Sequence, residues 1–253
     1  MENKQPSFLD LLLEAHIGLE RQGPGSAETV RRALSFLGPL DRIEQAADLG
    51  CGTGGQTMLL ANYLPGRIVG LDQFPAFAEK LNQAAEAAGC GDRVKGVVGR
   101  MEDLPFQKNS LDLIWSEGAI DNIGFREGLR HWRGFLKQGG FVAVSCPSWL
   151  TKERPAAAER FWSEAGSRLD PVETNIEILQ ACGFAFVAAF ALPETDWTEN
   201  YYEPRERAIQ RLVEKYESCE TVTAYAALNR QEVELYRQYH RHYGYVFYIG
   251  RAI

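Results

Sequence analysis

The segment Asp48-Leu49-Gly50-Cys51-Gly52-Thr53-Gly54-Gly55 constrains this 253-residue chain more than any other, because it follows a short apolar run, Ala46–Leu49, and opens a helical pattern. Alternate glycines let a backbone turn sharply and approach a ligand with no Cβ in the way. The next apolar run, Ile68–Leu71, ends at Asp72, eighteen residues beyond Gly54. A carboxylate at the end of a second strand is placed to accept hydrogen bonds from both hydroxyls of a ribose. Together these features point to a nucleoside-containing ligand at the carboxyl edge of a parallel sheet.

The alternation continues along the chain. Runs at Val94–Val98, Leu111–Trp115, Phe141–Ser145 and Phe184–Phe190 have the length and composition of strands buried on both faces. Helical stretches separate them, notably Pro75 to Ala88, stopped by Gly89, and Gly118 to Leu136, closed by Gly139-Gly140. This pattern predicts a doubly wound α/β fold with a mainly parallel sheet. Upstream, Leu9, Leu13 and Ile17 predict an amphipathic helix ended by Gly23-Pro24-Gly25, and Ser26 is the expected N-cap of a second helix reaching Leu37. Polar helical stretches at 203–218 and 221–243 precede a last apolar run, Tyr245–Ile249. One domain over 1–253 is expected: a helical cap (1–40), a cofactor-binding core (41–192), a helical lid insertion (193–243) and the last strand (244–253).

With 45% apolar and 24% charged residues the chain is neither disordered nor fibrous. Its net charge of −7 leaves no positive field for nucleic acid. Cys51, Cys90, Cys146, Cys182 and Cys219 are scattered, with no C-x-x-C spacing, and the four histidines lack ligand spacing. No metal is expected, and a reducing, cytoplasmic compartment is favoured. Asp10 and Glu14 break any signal-peptide pattern and the longest apolar stretch, Phe184 to Leu192, is too short to span a bilayer, so no membrane partner is expected.

Gly50-x-Gly52-x-x-Gly55 also satisfies the dinucleotide fingerprint. Asp48 separates the two readings: it would repel a pyrophosphate but suits a cationic amino-acid moiety, which favours S-adenosylmethionine. Four segments then resemble the class I S-adenosylmethionine-dependent methyltransferases over residues 46–145. Asp48 to Gly54 resembles their D-x-G-x-G-x-G loop, and Asp72 their acidic ribose ligand. Gly99-Arg100-Met101-Glu102-Asp103-Leu104-Pro105-Phe106 resembles G-D-A-E-D-L-P-F, and Leu136-Lys137-Gln138-Gly139-Gly140 resembles L-K-P-G-G. The resemblance implies a seven-stranded Rossmann-like sheet with its last strand antiparallel, and methyl transfer from S-adenosylmethionine to a small-molecule acceptor. It implies cofactor contacts from Asp48, Gly50, Cys51, Gly52, Thr53, Gly54, Asp72 and Gln73, with Arg100 and Met101 flanking the adenine and Ser116 nearby. Arg100 stands where the family often has Asp or Asn, which leaves Glu102 or Asp103 to meet the adenine amino group.

The acceptor is less constrained. Ser116-Glu117-Gly118-Ala119 is not the Asn/Asp-Pro-Pro-aromatic motif of enzymes that methylate DNA bases, and Cys146-Pro147 reverses the order of a nucleophilic Pro-Cys. Loops at the carboxyl edge supply Glu117 and Asp121 as acid–base or orienting candidates, and Asn122, Trp149, Trp197, Tyr201 and Tyr202 as acceptor contacts. Each has a plain alternative as a solvated loop residue or core aromatic. The fifty residues before the last strand far exceed a hairpin, so they are expected to cover the acceptor, a homodimer arm being the alternative. The rival functions are an NAD-type Rossmann oxidoreductase and a non-catalytic nucleoside-binding protein.

Overall fold

The computed structural model describes residues 5–253; the first four residues of the expected cap lie outside them. Helices α1 (Phe8–His16) and α2 (Ala27–Leu34) precede β1 (Gln45–Leu49). Then follow α3 (Gly55–Ala61), β2 (Arg67–Asp72), α4 (Pro75–Ala87), β3 (Val94–Val98), β4 (Leu111–Glu117), α5 (Phe125–Arg133) and β5 (Leu136–Trp149). Next come α6 (Ala156–Glu164), β6 (Asp170–Pro171), α7 (Val172–Ala181) and β7 (Phe184–Ala191). The segment before the last strand holds α8 (Glu194–Trp197), a π-helical turn (Thr198–Tyr202), α9 (Glu203–Lys215) and α10 (Glu220–Tyr239), and β8 (Tyr243–Ala252) completes the sheet.

The sheet order is β3-β2-β1-β4-β5-β8-β7, with the two-residue β6 paired to the end of β5. β8 runs antiparallel to both β5 and β7, while β1 lies parallel between β2 and β4. This is the doubly wound, Rossmann-like arrangement the sequence implies. Period-two alternation sorts the strand side chains to two cores. Leu113, Trp115, Ala143 and Phe247 pack with Leu60 and Leu81 on one face. Ile114, Val142, Val144 and Tyr248 pack with Leu129 and Trp132 on the other. Strand order reverses between β1 and β4, which opens a crevice at their carboxyl ends. Among the described residues no helix is long and apolar enough to cross a membrane.

Several boundaries differ from expectation. Gly124, at φ +84°, splits the predicted 118–136 helix into a 3-10 turn at Ile120–Ile123 and α5. Leu136 already pairs with Leu111, so β5 takes up the Gly139-Gly140 turn within the strand. α6 and α7 are present where the sequence carried no assignment. In α1 the buried face is Leu11 and Ala15, packed against Ile209, Leu212 and Tyr225 of α9 and α10, whereas Leu9 is 52% exposed. Two apolar stripes coexist on this helix, and the docking of α9 and α10 selects the one the spacing of Leu9, Leu13 and Ile17 does not mark.

Candidate active site

β1 delivers the glycine loop to the crevice, where Gly50 and Cys51 N–H groups donate to Leu71 O at 2.8 and 3.1 Å. Gly50 and Gly52 sit at φ +75° and +54°, a region glycine reaches without a Cβ penalty. A Cβ on Gly50 would strike Ala119, and one on Gly52 the Gln22 side chain. Asp72, at the end of β2, is 8% exposed. Its Oδ2 accepts from Gly52 N–H and its Oδ1 from Phe74 N–H, both at 2.9 Å. Burial raises its pKa while these amides pull the other way. The carboxylate keeps acceptor capacity beyond these amides and stands on the wall of a cavity of about 580 Å³.

Gly50, Gly52, Gln73, Arg100, Met101 and Glu102 line the same cavity, as do Glu117 and Asn122. Arg100 pairs with Glu102 across 2.7 Å at the surface, and Trp132 Nε1 donates to Met101 O at 3.0 Å, which fixes that loop. The remaining expected cofactor residues stand behind the wall. Ser116 is buried and donates to Leu49 O at 2.7 Å, bracing the end of β1. Cys51 is buried, which pushes its thiol pKa up, and Gly54 packs on Leu81. Thr53 is tied to the N-terminal segment: its N–H donates to Gln22 Oε1 at 2.9 Å and its hydroxyl to Leu19 O at 2.8 Å.

Asp48 also lies off the cavity, fully buried, with Oδ2 accepting from the Thr57 hydroxyl and Oδ1 unpartnered. It ties the loop to α3 rather than presenting charge to a ligand. Burial pushes its pKa up to about 7. The folded state therefore holds this proton more tightly than the unfolded chain, and the stabilisation is full below the usual carboxylate range and lost as pH rises through about 7. Asp48→Asn is expected to gain up to about 4 kcal/mol relative to the parent between pH 4 and 7.5. Thermal midpoints of the two proteins that run parallel across that range would refute this assignment.

Glu117, at the end of β4, has both oxygens engaged: Arg21 Nη1 donates to Oε2 at 2.9 Å and Trp115 Nε1 to Oε1 at 2.8 Å. Burial raises its pKa and the Arg21 charge opposes that rise. The carboxylate thus anchors Arg21, whose Nη2 is buried without a partner, instead of standing free as a base. Asp121 lines neither cavity; it is half-buried, with Ser167 donating its hydroxyl to Oδ2 at 3.4 Å and Oδ1 left without a partner. Trp149 packs edge-on to Tyr243 in the core, and Tyr202 is buried with its hydroxyl donating to Glu232 at 3.1 Å. These three candidates are corrected: none lines either cavity, and packing takes the two aromatic side chains into the core.

Trp197 and Tyr201 line a second cavity of about 410 Å³, together with His16, Trp162, Arg205 and Tyr245. The two cavities share Leu12, Gln22, Gly23 and Pro24. A Cβ on Gly118 of the first cavity would lie 2.9 Å from the Tyr245 ring of the second. His16 Nδ1 donates to Leu12 O at 2.8 Å, which leaves Nε2 as the acceptor facing the Tyr201 hydroxyl at 3.5 Å. Burial lowers its pKa to about 4, so the ring is neutral at pH 7. The motifs carry no mark of Arg21, Gln22, His16 or Arg205; the Gly23-Pro24-Gly25 stop is the only signal near the first two.

Residues 46–140 match the family model described as a methyltransferase domain. Geranyl diphosphate 2-C-methyltransferase of Streptomyces lasalocidi is 27% identical over 116 residues, 46% of this chain and 39% of that protein. Trans-aconitate 2-methyltransferase of Escherichia fergusonii is 31% identical over 144 residues, 55% of this chain and 54% of that one. The chain thus spans about two fifths to a half of these curated relatives. A solved S-adenosylmethionine-dependent methyltransferase from Geobacter sulfurreducens, in complex with S-adenosyl-L-homocysteine, superposes with a TM-score of 0.81 at 16% identity, covering 96% of this chain and 98% of that one, so the fold is shared end to end. The glycine loop, the sheet order and the matched segment together make residues 46–140 similar to the methyltransferase domain of class I S-adenosylmethionine-dependent enzymes.

Proposed function

We propose that the chain transfers the methyl group of S-adenosylmethionine to a small-molecule acceptor, with the donor in the first cavity and the acceptor in the second. The observation that carries this reading is the pair of cavities sharing walls at the carboxyl edge of β1 and β4. The donor fits the residues present. The Asp72 carboxylate would take the ribose hydroxyls, Met101 the adenine face, and the unpartnered Nη2 of Arg21 the amino-acid carboxylate. The first cavity also falls within the ~300–1,000 Å³ typical of cofactor sites. When bound, S-adenosylmethionine supplies a methyl group on a sulfonium, which an acceptor nucleophile takes as the carbon–sulfur bond breaks, leaving S-adenosylhomocysteine.

The chain's own contribution is positioning and exclusion of water. Gln22 and Arg21 hold the N-terminal segment over the glycine loop, and Tyr245 and Pro24 stand where the two cavities meet. The neutral Nε2 of His16 accepts from the Tyr201 hydroxyl and so helps to hold that ring on the wall of the second cavity. Segment 193–243 reads as a lid because α9 and α10 bury Ile209, Leu212 and Tyr225 against α1 and supply Arg205 and Asn229 to the second cavity. That use of its apolar face within one copy argues against a homodimer arm. A cytoplasmic site of action accords with five free cysteines. S-adenosylhomocysteine is expected to raise the thermal midpoint while NADH leaves it unchanged; stabilisation by NADH alone would revive the oxidoreductase reading.

A further inference from the structure

We infer that the second cavity recognises its acceptor by a carboxylate, gripped by Arg205; this rests on the assignment of that cavity to the acceptor. The Arg205 side chain on α9 is 3% exposed and belongs to the cavity wall. Its Nη1 is committed, donating to the Tyr201 hydroxyl at 3.0 Å and to Glu232 Oε2 at 2.9 Å. Nε and Nη2, which share the other planar edge of the guanidinium, have no partner. The Tyr201 and Tyr202 rings pack on the group, 4.7 and 4.9 Å from Cζ to each centroid, and hold its plane. Trp197, stacked on Tyr236 with centroids 4.4 Å apart, adds a third unpartnered buried donor, Nε1, to the same wall.

Buried donors left unpaired are costly, so these three, with Trp162 Nε1 as a fourth on the residues of one cavity wall, call for a ligand rich in acceptors. A carboxylate presents two oxygens in one plane, which matches the Nε/Nη2 edge of a guanidinium. An ammonium would leave these donors unpaired, and of the wall's carboxylates Glu232 is already taken by Arg205. A phosphoryl group would bring a third oxygen and a second charge toward Glu232, which is itself already satisfied by Arg205 and by the Tyr202 hydroxyl at 3.1 Å. The remaining walls, Trp162, Tyr225 and Tyr245 among them, suit a planar apolar body. The acceptor class is therefore an aromatic or similarly planar carboxylic acid.

The test titrates benzoate, trans-cinnamate and indole-3-acetate, each beside its amide, into protein saturated with S-adenosylhomocysteine. At least one acid is expected to bind about 30-fold or more tighter than its amide, the ratio a charge-assisted pair supplies. Arg205→Met should erase that preference, weakening the acid far more than the amide, while leaving the S-adenosylhomocysteine affinity unchanged. Arg205→Lys, which keeps the charge but not the planar edge, should recover only part of it, and serves if the methionine variant does not fold. Acids and amides binding alike, acid binding indifferent to Arg205, or no acid binding at about 10 mM would each overturn the inference while S-adenosylhomocysteine still binds. A parent protein that does not bind S-adenosylhomocysteine would instead sink the methyl-transfer reading beneath it.

Discussion

Asp72→Ala is expected to weaken S-adenosylhomocysteine binding by about 1.5–3 kcal/mol, or roughly 10- to 150-fold, the worth of hydrogen bonds to a charged acceptor. The carboxylate lies on the cavity wall, 8% exposed, held by backbone N–H groups of Gly52 and Phe74, with acceptor capacity left for the ribose. The same two bonds hold Gly52 and Phe74, so the alanine variant should also melt earlier. Asp72→Asn separates the two effects. Its single carbonyl oxygen can serve one N–H but not both, so it should restore part of the stability and little of the affinity. Calorimetry that finds the alanine variant binding as tightly as the parent would remove Asp72 from the site.

The parts of the molecule legible in its sequence are those set by local chemistry. The glycine loop and Asp72 lie within a single strand–helix–strand unit, and the left-handed angles at Gly50 and Gly52 leave few other residues acceptable there. Strands buried on both faces announce themselves by continuous apolar runs, and β1, β2 and β4 fall where such runs occur. The rest of the site depends on contacts made across the chain. Arg21 meets Glu117 96 residues away, and Tyr201 meets His16 185 residues away. No periodicity in α1 shows that His16 turns toward a cavity while Leu9 turns to solvent. Aromatic residues are ambiguous for the same reason: Trp149 and Tyr202 went to the core and Trp197 and Tyr201 to a cavity wall, though all four stand near the same sheet edge. Asp48 shows a different limit. Its position in the loop is as expected, yet the side chain turns to Thr57, because a carboxylate at the strand end can fix the start of α3 from within.

The largest effect is expected from removing the helical hairpin. α9 and the first half of α10 carry Arg205, Tyr225 and Asn229 to the second cavity, yet contribute nothing to the walls of the first. Tyr236 and Val233, farther along α10, belong to the main core with Trp197 and should be kept. A variant with residues 205–230 replaced by a short Gly/Ser linker is therefore expected to bind S-adenosylhomocysteine within about threefold of the parent, while transfer of a labelled methyl group to small molecules of a metabolite extract falls about 100-fold or more. The division follows from geometry: the donor keeps Asp72, Met101 and Arg21, and the acceptor loses one side of its enclosure and admits water. Exposing Leu11 and Ala15 of α1 should lower the melting temperature as well, which binding of S-adenosylhomocysteine distinguishes from unfolding. A variant that binds the donor product, keeps its methyl transfer and changes only from dimer to monomer would show that the hairpin assembles copies of the chain and does not cover the acceptor.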